Sequence, residues 1–328
     1  IYNMIKEKVV KVAVQMDKLN KINKYTDSTL ALIKEAIKRK FSVFIYNVDN
    51  LYLENNELKA IANKVLSINI QKEKFLTLDT AHVINLKSFE FVLIRQDPPF
   101  NMEYITTTYL LEKLPKSCIV LNKPNSIRDC PEKLFVMDFF NLMPPTLISK
   151  QKSNIIKFVK KFKKVVIKPI YGNGGSNVFY LNEKDPNLNI IIDSLISETE
   201  HVIVQKFIKN VKKGDKRILL INGLPVGAVN RVPKNNEIRA NLHIGGRAKK
   251  AILTKREKFI CNQIKSKLRE KGLFFAGIDV IDGYLTEINV TSPTCIREID
   301  NLNKTNISFI YWQEALQLRN HGANIFAS

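Results

Sequence analysis

The segment at residues 278–294 constrains the fold of this 328-residue chain more than any other. It predicts two buried strands joined by a tight turn, and it carries Asp279, Glu287 and Asn289 among apolar residues. An unpaired carboxylate is costly to bury, so such a group normally has a cation or a hydrogen-bonding partner. An all-oxygen set suits a hard cation such as Mg²⁺, usually held together with phosphates. The alternative is a solvated hairpin whose carboxylates face water.

The length of the turn decides whether the three polar side chains share a face. Glu287 and Asn289 are two residues apart and therefore lie on one face of a strand. A two-residue loop at Asp282-Gly283 would place Asp279 on the other face. A three-residue loop at residues 281–283, with Gly283 left-handed, would instead bring Asp279 diagonal to Glu287. We therefore predict the three-residue loop.

Composition limits the class of protein. The hydrophobic content of 45% is ordinary for a globular protein, and the length predicts about two domains. No apolar run approaches the roughly 20 residues that a membrane helix needs, and the N-terminus lacks the pattern of a signal peptide. The four scattered cysteines form no CxxC pair, which argues against a zinc site or a disulfide framework. We expect a cytoplasmic protein with reduced cysteines and no membrane partner.

A net charge of +21 permits binding to nucleic acids or to acidic substrates. The lysines are spread along the whole chain, however, and no zinc finger, RNP-type aromatic motif or basic zipper accompanies them. We therefore expect no nucleic-acid partner. A basic nucleic-acid-binding protein stays the alternative from a different class, and it predicts tight binding that weakens steeply with salt.

The first part of the chain alternates strand and helix patterns. Buried strands are predicted at residues 9–16, 41–46 and 91–95. Ser28 is a predicted N-cap for the helix between the first two strands. This order is typical of an open α/β domain reaching to about residue 125. Functional loops in such sheets follow the carboxyl ends of strands, where Asp17, Asn47 and Arg95 stand.

The second part of the chain mixes helices with further strands. Asp129 is a predicted N-cap, with Pro131 in the first turn of its helix and Lys133 just inside. Other helices are predicted at residues 154–164, 255–271 and 310–319, and strands at residues 165–169, 202–207 and 217–221. Asn222-Gly223 predicts a tight hairpin turn between two strands.

A glycine-rich segment (GNGGS, residues 172–176, here called the glycine loop) follows a short apolar strand that ends near Lys168. Glycines at 172, 174 and 175 let backbone N–H groups curl around phosphate oxygens, and a nearby lysine supplies compensating charge. Such a loop is weak evidence alone, but with the downstream carboxylates it indicates a nucleotide–Mg²⁺ site. The chain has no GxxxxGK(S/T) motif and no protein-kinase catalytic set, which excludes those two classes.

The motifs together resemble those of prokaryotic glutathione synthetases, members of the ATP-grasp superfamily. They run in the family's order and extend from near Met16 to about Glu298. The matching segments are RQDPPF at 95–100, NKP at 122–124, RDCPEKL at 128–134, KP at 168–169 with the glycine loop, KGDKR at 213–217, Asn241, GGR at 245–247 and LTEINVTSPTCIRE at 285–298. The RQDPPF segment and the last segment are the most specific.

The resemblance implies an α/β fold in which an N-terminal open α/β substrate domain precedes a two-lobed ATP-grasp fold. The N-terminal domain would occupy residues 1–128. A central lid with the glycine loop would occupy residues 129–205. A C-terminal α+β subdomain with the metal site would occupy residues 206–328.

The resemblance also implies roles for individual residues. ATP would be bound by Lys133, Lys168, Gly172, Gly174, Gly175, Gln205, Lys206, Phe207, Ile208 and Asp215. Residues 205–208 would hold the adenine, although their spacing alone fits an ordinary strand equally well. Two Mg²⁺ (or Mn²⁺) ions would be held by Asp279, Glu287 and Asn289. The catalytic arginines would be Arg217, Arg239 and Arg247. The substrates would be contacted by Arg95, Asn241, Ser292, Pro293, Thr294 and Arg297.

The implied activity is ATP-dependent ligation of γ-L-glutamyl-L-cysteine and glycine through an acyl phosphate, giving glutathione, ADP and phosphate. The family suggests a homo-oligomer. Within the enzyme class, the alternative is another ATP-grasp ligase, such as a glutamate-adding or D-alanine-joining enzyme, against which the segments at 95–100 and 286–298 argue. The chain departs from the family's pattern at Tyr171, where Asp is usual, and at residues 248–250. The glycine loop and residues 235–247 are candidate lids.

Overall fold

The computed structural model describes residues 9–172, 177–199, 201–234, 242 and 245–321. These residues form three β-sheets that follow one another along the chain, each covered by helices. Nowhere in the described ranges is there a helix long and apolar enough to cross a membrane. The three-domain boundaries stay a prediction, although each sheet lies within one of the proposed domains except for a single residue, Lys206.

The first sheet has a parallel centre and an antiparallel extension. Its strands are β1 (Lys11–Gln15), β2 (Ser42–Tyr46), β3 (Leu51–Glu54), β4 (Glu57–Ile68), β5 (Leu76–Leu78), β6 (His82–Asn85), β7 (Phe91–Ile94) and β8 (Ile119–Leu121). β2, β1, β7 and β8 are parallel neighbours, and β4 adds antiparallel to β2. β7 is buried along its whole length, as expected for a parallel strand with both faces covered. The helices of this part of the chain are α1 (Ser28–Lys38), α2 (Met102–Leu111) and α3 (Pro124–Asp129).

Two predicted helix starts in this part of the chain are wrong. Asp27, not Ser28, caps α1, because its carboxylate accepts a hydrogen bond from the Leu30 N–H at 2.7 Å. The Ser28 hydroxyl instead accepts from the Ile296 N–H at 3.1 Å. Asp129 ends a helix rather than beginning one.

The reason for the second error is the proline after Cys130. A residue that precedes proline is disfavoured in the helical region, and Cys130 has φ −122° and ψ 60°. The helix therefore stops before it, and a new one, α4 (Glu132–Phe135), begins after Pro131. Lys133 lies in this short helix, as close to its start as the sequence predicts.

The second sheet is small and antiparallel, in the order β11-β10-β12-β9. Its strands are β9 (Thr146–Ser149), β10 (Lys164–Pro169), β11 (Phe179–Asn182) and β12 (Val202–Lys206). α5 (Lys152–Phe162) and α6 (Leu188–Thr199) cover one face. Ile155 and Val159 of α5 are fully buried, whereas most of its lysines face solvent, so the amphipathic pattern predicted this helix correctly.

The third sheet is antiparallel, in the order β15-β14-β13-β16-β17. Its strands are β13 (Asp215–Ile221), β14 (Leu224–Val232), β15 (Arg247–Lys250), β16 (Phe275–Ile281) and β17 (Tyr284–Asn289). The Asn222-Gly223 turn between β13 and β14 is confirmed, with positive φ at both residues. The helices of this part are α7 (Lys255–Glu270), α8 (Ile296–Asn303) and α9 (Ile307–His321).

The two faces of the third sheet differ. One face packs against α7, which is capped by Thr254 and buries Ile260, Ile264 and Leu268. α9 packs on the other face and also against α1 of the first sheet, where the Trp312 Nε1–H donates to the Leu32 carbonyl at 2.9 Å. The first and third sheets therefore share a hydrophobic core, and the remaining polar part of that second face opens into a cleft.

Candidate active site

A cleft of about 1000 Å³ lies where the three sheets meet. Fifteen of the residues predicted from the sequence line it: Arg95, Lys133, Lys168, Gly172, Gln205, Lys206, Phe207, Ile208, Asp215, Arg217, Asp279, Glu287, Asn289, Ser292 and Thr294. They come from segments up to 199 residues apart, counted from Arg95 to Thr294. The fold therefore brings together most of the residues that the resemblance implies.

The hairpin that carries the carboxylates differs from the prediction in its loop. Ile281 pairs with Tyr284, so the loop is the two-residue Asp282-Gly283, with positive φ at both positions. A β-bulge between Asp279 and Val280 then inserts one extra residue on β17 and restores Asp279 to the position opposite Glu287. The predicted loop is wrong, but the shared face that it was meant to explain is present.

A hydrogen bond from a buried side chain, Thr286, stabilises the bulge. The Thr286 hydroxyl donates to the Asp279 carbonyl at 3.1 Å, and Thr286 is buried. Without the extra residue, alternation would turn Asp279 away from Glu287. The bulge therefore places both carboxylates in the cleft.

Register continues the polar face across the sheet. Asp279 lies opposite Arg217 on β13, and Asp215, two residues before Arg217, lies opposite Arg231 on β14. All four side chains therefore share one face. Gly277 makes room for Arg217, since a Cβ there would lie 3.1 Å from Cδ of Arg217.

Buried ion pairs join these four side chains. Arg217 Nε and Nη2 donate to the two Asp279 oxygens at 2.5 and 3.0 Å. Arg231 Nη2 lies 2.7 Å from Asp215 Oδ2 and 2.9 Å from Asp279 Oδ1. Burial alone would raise the pKa of Asp279, but the charges of both arginines outweigh it and hold that pKa below its ordinary value. For Asp215 burial prevails over the attraction of Arg231 and raises the pKa to about 6.

Two lysines connect this face to the second sheet. Lys168, near the end of β10, lies 3.1 Å from Glu287 Oε1, and its charge helps to lower the pKa of Glu287 against the effect of burial. Lys133 Nζ donates to the Ile170 carbonyl at 3.3 Å and also to the Gly172 carbonyl. Both lysines line the cleft, and Lys133 holds the backbone at the start of the glycine loop.

The first sheet contributes Arg95, which is buried and ties the cleft to the segment at 292–294. Its Nε donates to the Thr29 hydroxyl at 3.1 Å, and its Nη2 donates to the Pro293 carbonyl at 2.9 Å. The Ser292 hydroxyl donates back to the Arg95 carbonyl at 3.2 Å. Among the described residues, Arg95 Nη1 has no hydrogen-bond partner although it is buried. A charged donor of this kind suits a substrate carboxylate.

Some predicted residues lie away from the cleft or outside the described part of the chain. Pro293 contributes its carbonyl to Arg95, and Arg297 donates to the Asp27 carbonyl at 2.9 Å, but neither lines the cleft. Arg247 is exposed on β15 and does not line it either. Gly174, Gly175, Arg239 and Asn241 lie outside the described residues, as do most of residues 235–247.

Among the cleft residues that the sequence did not single out, two interact with the charged groups described above. Arg231 lies in an unremarkable strand, and only the register of β14 against β13 places it over Asp215. Glu132 is the other: it accepts a hydrogen bond from the Thr291 hydroxyl at 3.0 Å and lines the cleft beside Lys133. Burial, followed by the charge of Glu287, raises the pKa of Glu132 from 4.5 to about 7. Glu132 stands next to Lys133 in the RDCPEKL segment, so this motif could have indicated it.

Replacing Glu132 with Gln is expected to stabilise the metal-free and nucleotide-free protein above about pH 7. At a pH near the ordinary pKa of a carboxyl group, the replacement should change the free energy of unfolding little. In the folded protein the Glu132 carboxyl group keeps its proton up to about pH 7, whereas in the unfolded chain it loses the proton near pH 4.5. The stability of the wild type therefore falls as the pH rises from about 4.5 to about 7. The shift corresponds to on the order of 3 kcal/mol. Urea unfolding across the window, in EDTA, measures it. A variant whose stability falls as steeply as that of the wild type would contradict the assignment.

The oxygen atoms of the cleft fit a divalent cation in chemistry. Asp279, Glu287 and the amide of Asn289 offer oxygen only, and the Asn289 amide nitrogen donates to the Gly277 carbonyl at 3.1 Å, which leaves its Oδ1 to act as a ligand. Across the described residues, no group of three or more His, Cys, Asp or Glu side chains is arranged to hold a metal ion. Arg217 and Lys168 supply positive charge beside Asp279 and Glu287. A bound hard cation would supply positive charge to the same two carboxylates.

Comparisons with known proteins show the family of the chain. The family model described as "Prokaryotic glutathione synthetase, N-terminal domain" matches residues 10–128, and "Prokaryotic glutathione synthetase, ATP-grasp domain" matches residues 132–304. Proteins named glutathione synthetase are similar over most of their length. The one from Mesorhizobium japonicum is 43% identical, with 92% of this chain and 97% of that protein covered. The one from Escherichia coli O6:H1 is 39% identical, with 89% and 93% covered.

Solved structures show the likeness of the fold. D-cycloserine synthetase DcsG has a TM-score of 0.64 at 13% identity, with 94% of this chain and 99% of that one covered. The ATP-grasp ligase PsnB, solved with Mg and ADP, has a TM-score of 0.64 at 14% identity, with 95% and 99% covered. D-alanyl-alanine synthetase A from Vibrio cholerae has a TM-score of 0.60 at 14% identity, with 95% and 98% covered. The fold is therefore the α/β arrangement of ATP-grasp ligases, with an N-terminal domain before it.

Proposed function

The chain belongs to the prokaryotic glutathione synthetase family, and we propose that it joins γ-L-glutamyl-L-cysteine to glycine while ATP is converted to ADP and phosphate. One observation carries this proposal beyond the family match. One cleft combines two features. On the side of the first sheet, the buried Arg95 has an N–H group without a described partner, and on the side of the other two sheets carboxylates are paired with arginine and lysine. It can therefore hold a carboxylate substrate next to a nucleotide.

The need for ATP follows from the chemistry of the carboxylate. An amine cannot displace oxide from a carboxylate, so the oxygen must first become part of a leaving group. Transfer of the γ-phosphate of ATP to the cysteinyl carboxylate gives an acyl phosphate and ADP. The amine of glycine then attacks the acyl carbon, loses a proton and expels phosphate, which leaves the new amide bond.

The lysines and β12 would bind the nucleotide. We assign Lys133 and Lys168 to the phosphates, because both line the cleft, Lys133 at the start of the glycine loop and Lys168 beside Glu287. Gly172, Gly174 and Gly175 are assigned to the same phosphates. Gln205, Lys206, Phe207 and Ile208, which line the cleft at and just beyond the end of β12, are assigned to the adenine, with Asp215 nearby on the nucleotide.

Asp279, Glu287 and Asn289 would hold two Mg²⁺ or Mn²⁺ ions. Metal ions held there would neutralise charge on the phosphate oxygens. Arg217 and Arg231 carry positive charge in the same water-poor part of the cleft, where they would hold the transferring phosphate and a substrate carboxylate. Arg239 and Arg247 are assigned to the same task by family resemblance alone.

The first sheet and the segment at 292–294 would bind the peptide substrate. Arg95 offers its buried Nη1–H to a carboxylate, and Ser292 and Thr294 line the cleft beside it. Arg297, Pro293 and Asn241 are assigned to the same region. Because an acyl phosphate hydrolyses, the intermediate needs shelter from water, and the glycine loop with residues 235–247 is proposed as the cover. We also propose a homo-oligomer, on family membership.

The activity is tested by phosphate release from ATP and Mg²⁺ with γ-glutamylcysteine, with and without glycine, followed by mass detection of the product. Glycine-dependent release with formation of glutathione is the expected result. Turnover only with another acid–amine pair, such as D-alanine with itself, would keep the ligase and overturn the substrates. Absence of turnover with any pair, together with salt-sensitive binding to DNA or RNA, would overturn the enzyme assignment.

A further inference from the structure

Three aromatic rings form a column from the first sheet to the foot of the glycine loop. Tyr104 lies buried in α2, and its ring is 5.5 Å from that of Phe100, centroid to centroid. The Phe100 ring in turn stacks on Tyr171, at 6.3 Å and an interplanar angle of 21°. Both distances lie in the range over which aromatic pairs attract each other.

Tyr171 is not a core residue, since 56% of it is exposed. It stands between Ile170 and Gly172, and Lys133 donates to the carbonyl groups of both. The backbone on each side of Tyr171 is thus fastened to the lysine that we assign to the ATP phosphates. The ring itself is free to contact another part of the protein, and its neighbour is Phe100.

Phe100 belongs to the segment that carries Arg95. That segment leaves β7, passes through Arg95 and ends at Phe100, just before Asn101 caps α2 by accepting from the Tyr104 N–H at 3.0 Å. Arg95 also contacts the Pro293 carbonyl in the proposed peptide site. The stack therefore joins the peptide side of the cleft to the phosphate side.

We propose that Tyr171 is a positioning residue: by stacking on Phe100 it sets the start of the glycine loop against the peptide-binding segment, so that the peptide substrate and ATP strengthen each other's binding. The proposal rests on the function proposed above. An aromatic pair contributes about a two- to twelvefold change in an equilibrium constant.

The test measures the dissociation constant of a non-hydrolysable ATP analogue with Mg²⁺, with and without saturating γ-glutamylcysteine, for the full-length protein. The wild type is expected to bind the analogue about two- to twelvefold more tightly when the peptide is present. Tyr171→Ala is expected to lose most of this gain, and Tyr171→Phe to keep it, because the ring and not the hydroxyl makes the stack. Tyr109→Ala, which removes a tyrosine that is 53% exposed and lies against the Arg128 guanidinium, is the matched control and is expected to keep the gain.

A double-mutant cycle separates this proposal from the proposed function. Phe100→Ala, Tyr171→Ala and the double variant are compared in binding of the analogue alone. If the wild type does not bind γ-glutamylcysteine, the proposed function fails, and the cycle decides on the stack: non-additive losses support it, and additive losses overturn it. If the wild type binds the peptide and Tyr171→Ala keeps the full gain, or Tyr171→Phe loses it, the proposal is overturned and the function stands.

Discussion

Asp279→Asn and Glu287→Gln are both expected to lower kcat by about a hundredfold or more, because each removes a charge from the proposed metal site. Their effects on stability should differ. Asp279 is buried and neutralises two buried arginines, Arg217 and Arg231, and breaking a buried pair by removing one partner costs about 3–5 kcal/mol. Among the described residues, Glu287 forms one ion pair, with Lys168, and its side chain keeps 21% of its exposure, so its neutral variant should lose less stability than Asp279→Asn.

The two variants therefore separate catalysis from folding. Urea unfolding and phosphate release at saturating Mg²⁺ would be measured on the same preparations. Asp282→Asn is the matched control, since Asp282 lies exposed in the turn of the same hairpin and tolerates an Asn at its positive φ. It should change neither quantity appreciably. A Glu287→Gln enzyme with near-normal kcat would sink the metal assignment, and an Asp279→Asn protein as stable as the wild type would contradict the buried network.

The sequence allowed the fold class to be predicted because its patterns are local. Strand and helix periodicity, caps and turn residues gave most of the elements to within a few residues, and the order of motifs gave the family. One error came where a tertiary contact decides between two local preferences, and the other came from a local effect of proline. Asp27 and Ser28 are both good caps, and the choice between them depends on Ile296, which is remote in the chain. Asp129 was misjudged because the effect of Pro131 on Cys130 was overlooked.

The site shows the same division between local and remote information. The spacing of Glu287 and Asn289 predicted a common face, but the bulge that returns Asp279 to that face depends on the buried hydroxyl of Thr286. No spacing rule fixes where a strand takes up an extra residue. Arg231 was missed for a related reason. Its side chain matters because it lies opposite Asp215 on the neighbouring strand, and the sequence does not give the register between β13 and β14.

Arg231→Met is expected to lower the unfolding free energy by about 3–5 kcal/mol near neutral pH, since it leaves Asp215 and Asp279 buried with Arg217 as their nearest remaining described cation. The loss should depend on pH in a defined direction. The pKa of Asp215 is already raised to about 6 in the wild type, and removing Arg231 raises it further. The deficit is therefore full only above the variant's higher pKa, and it shrinks as the pH falls from there towards about 6, because Asp215 of the variant takes up its proton first. Urea unfolding between about pH 5 and pH 8 measures it.

The same variant should also lose activity, because Arg231 belongs to the charged face that we assign to the phosphate. Arg256→Met is the matched control: Arg256 is exposed on α7, where it packs on Phe259 and donates to the Gly283 carbonyl, and its loss should cost well under about 1 kcal/mol. A loss for Arg231→Met that is equal at all pH values would show that packing, rather than charge, is what Arg231 contributes. A full kcat with reduced stability would confine Arg231 to holding the carboxylates and leave the phosphate to Arg217.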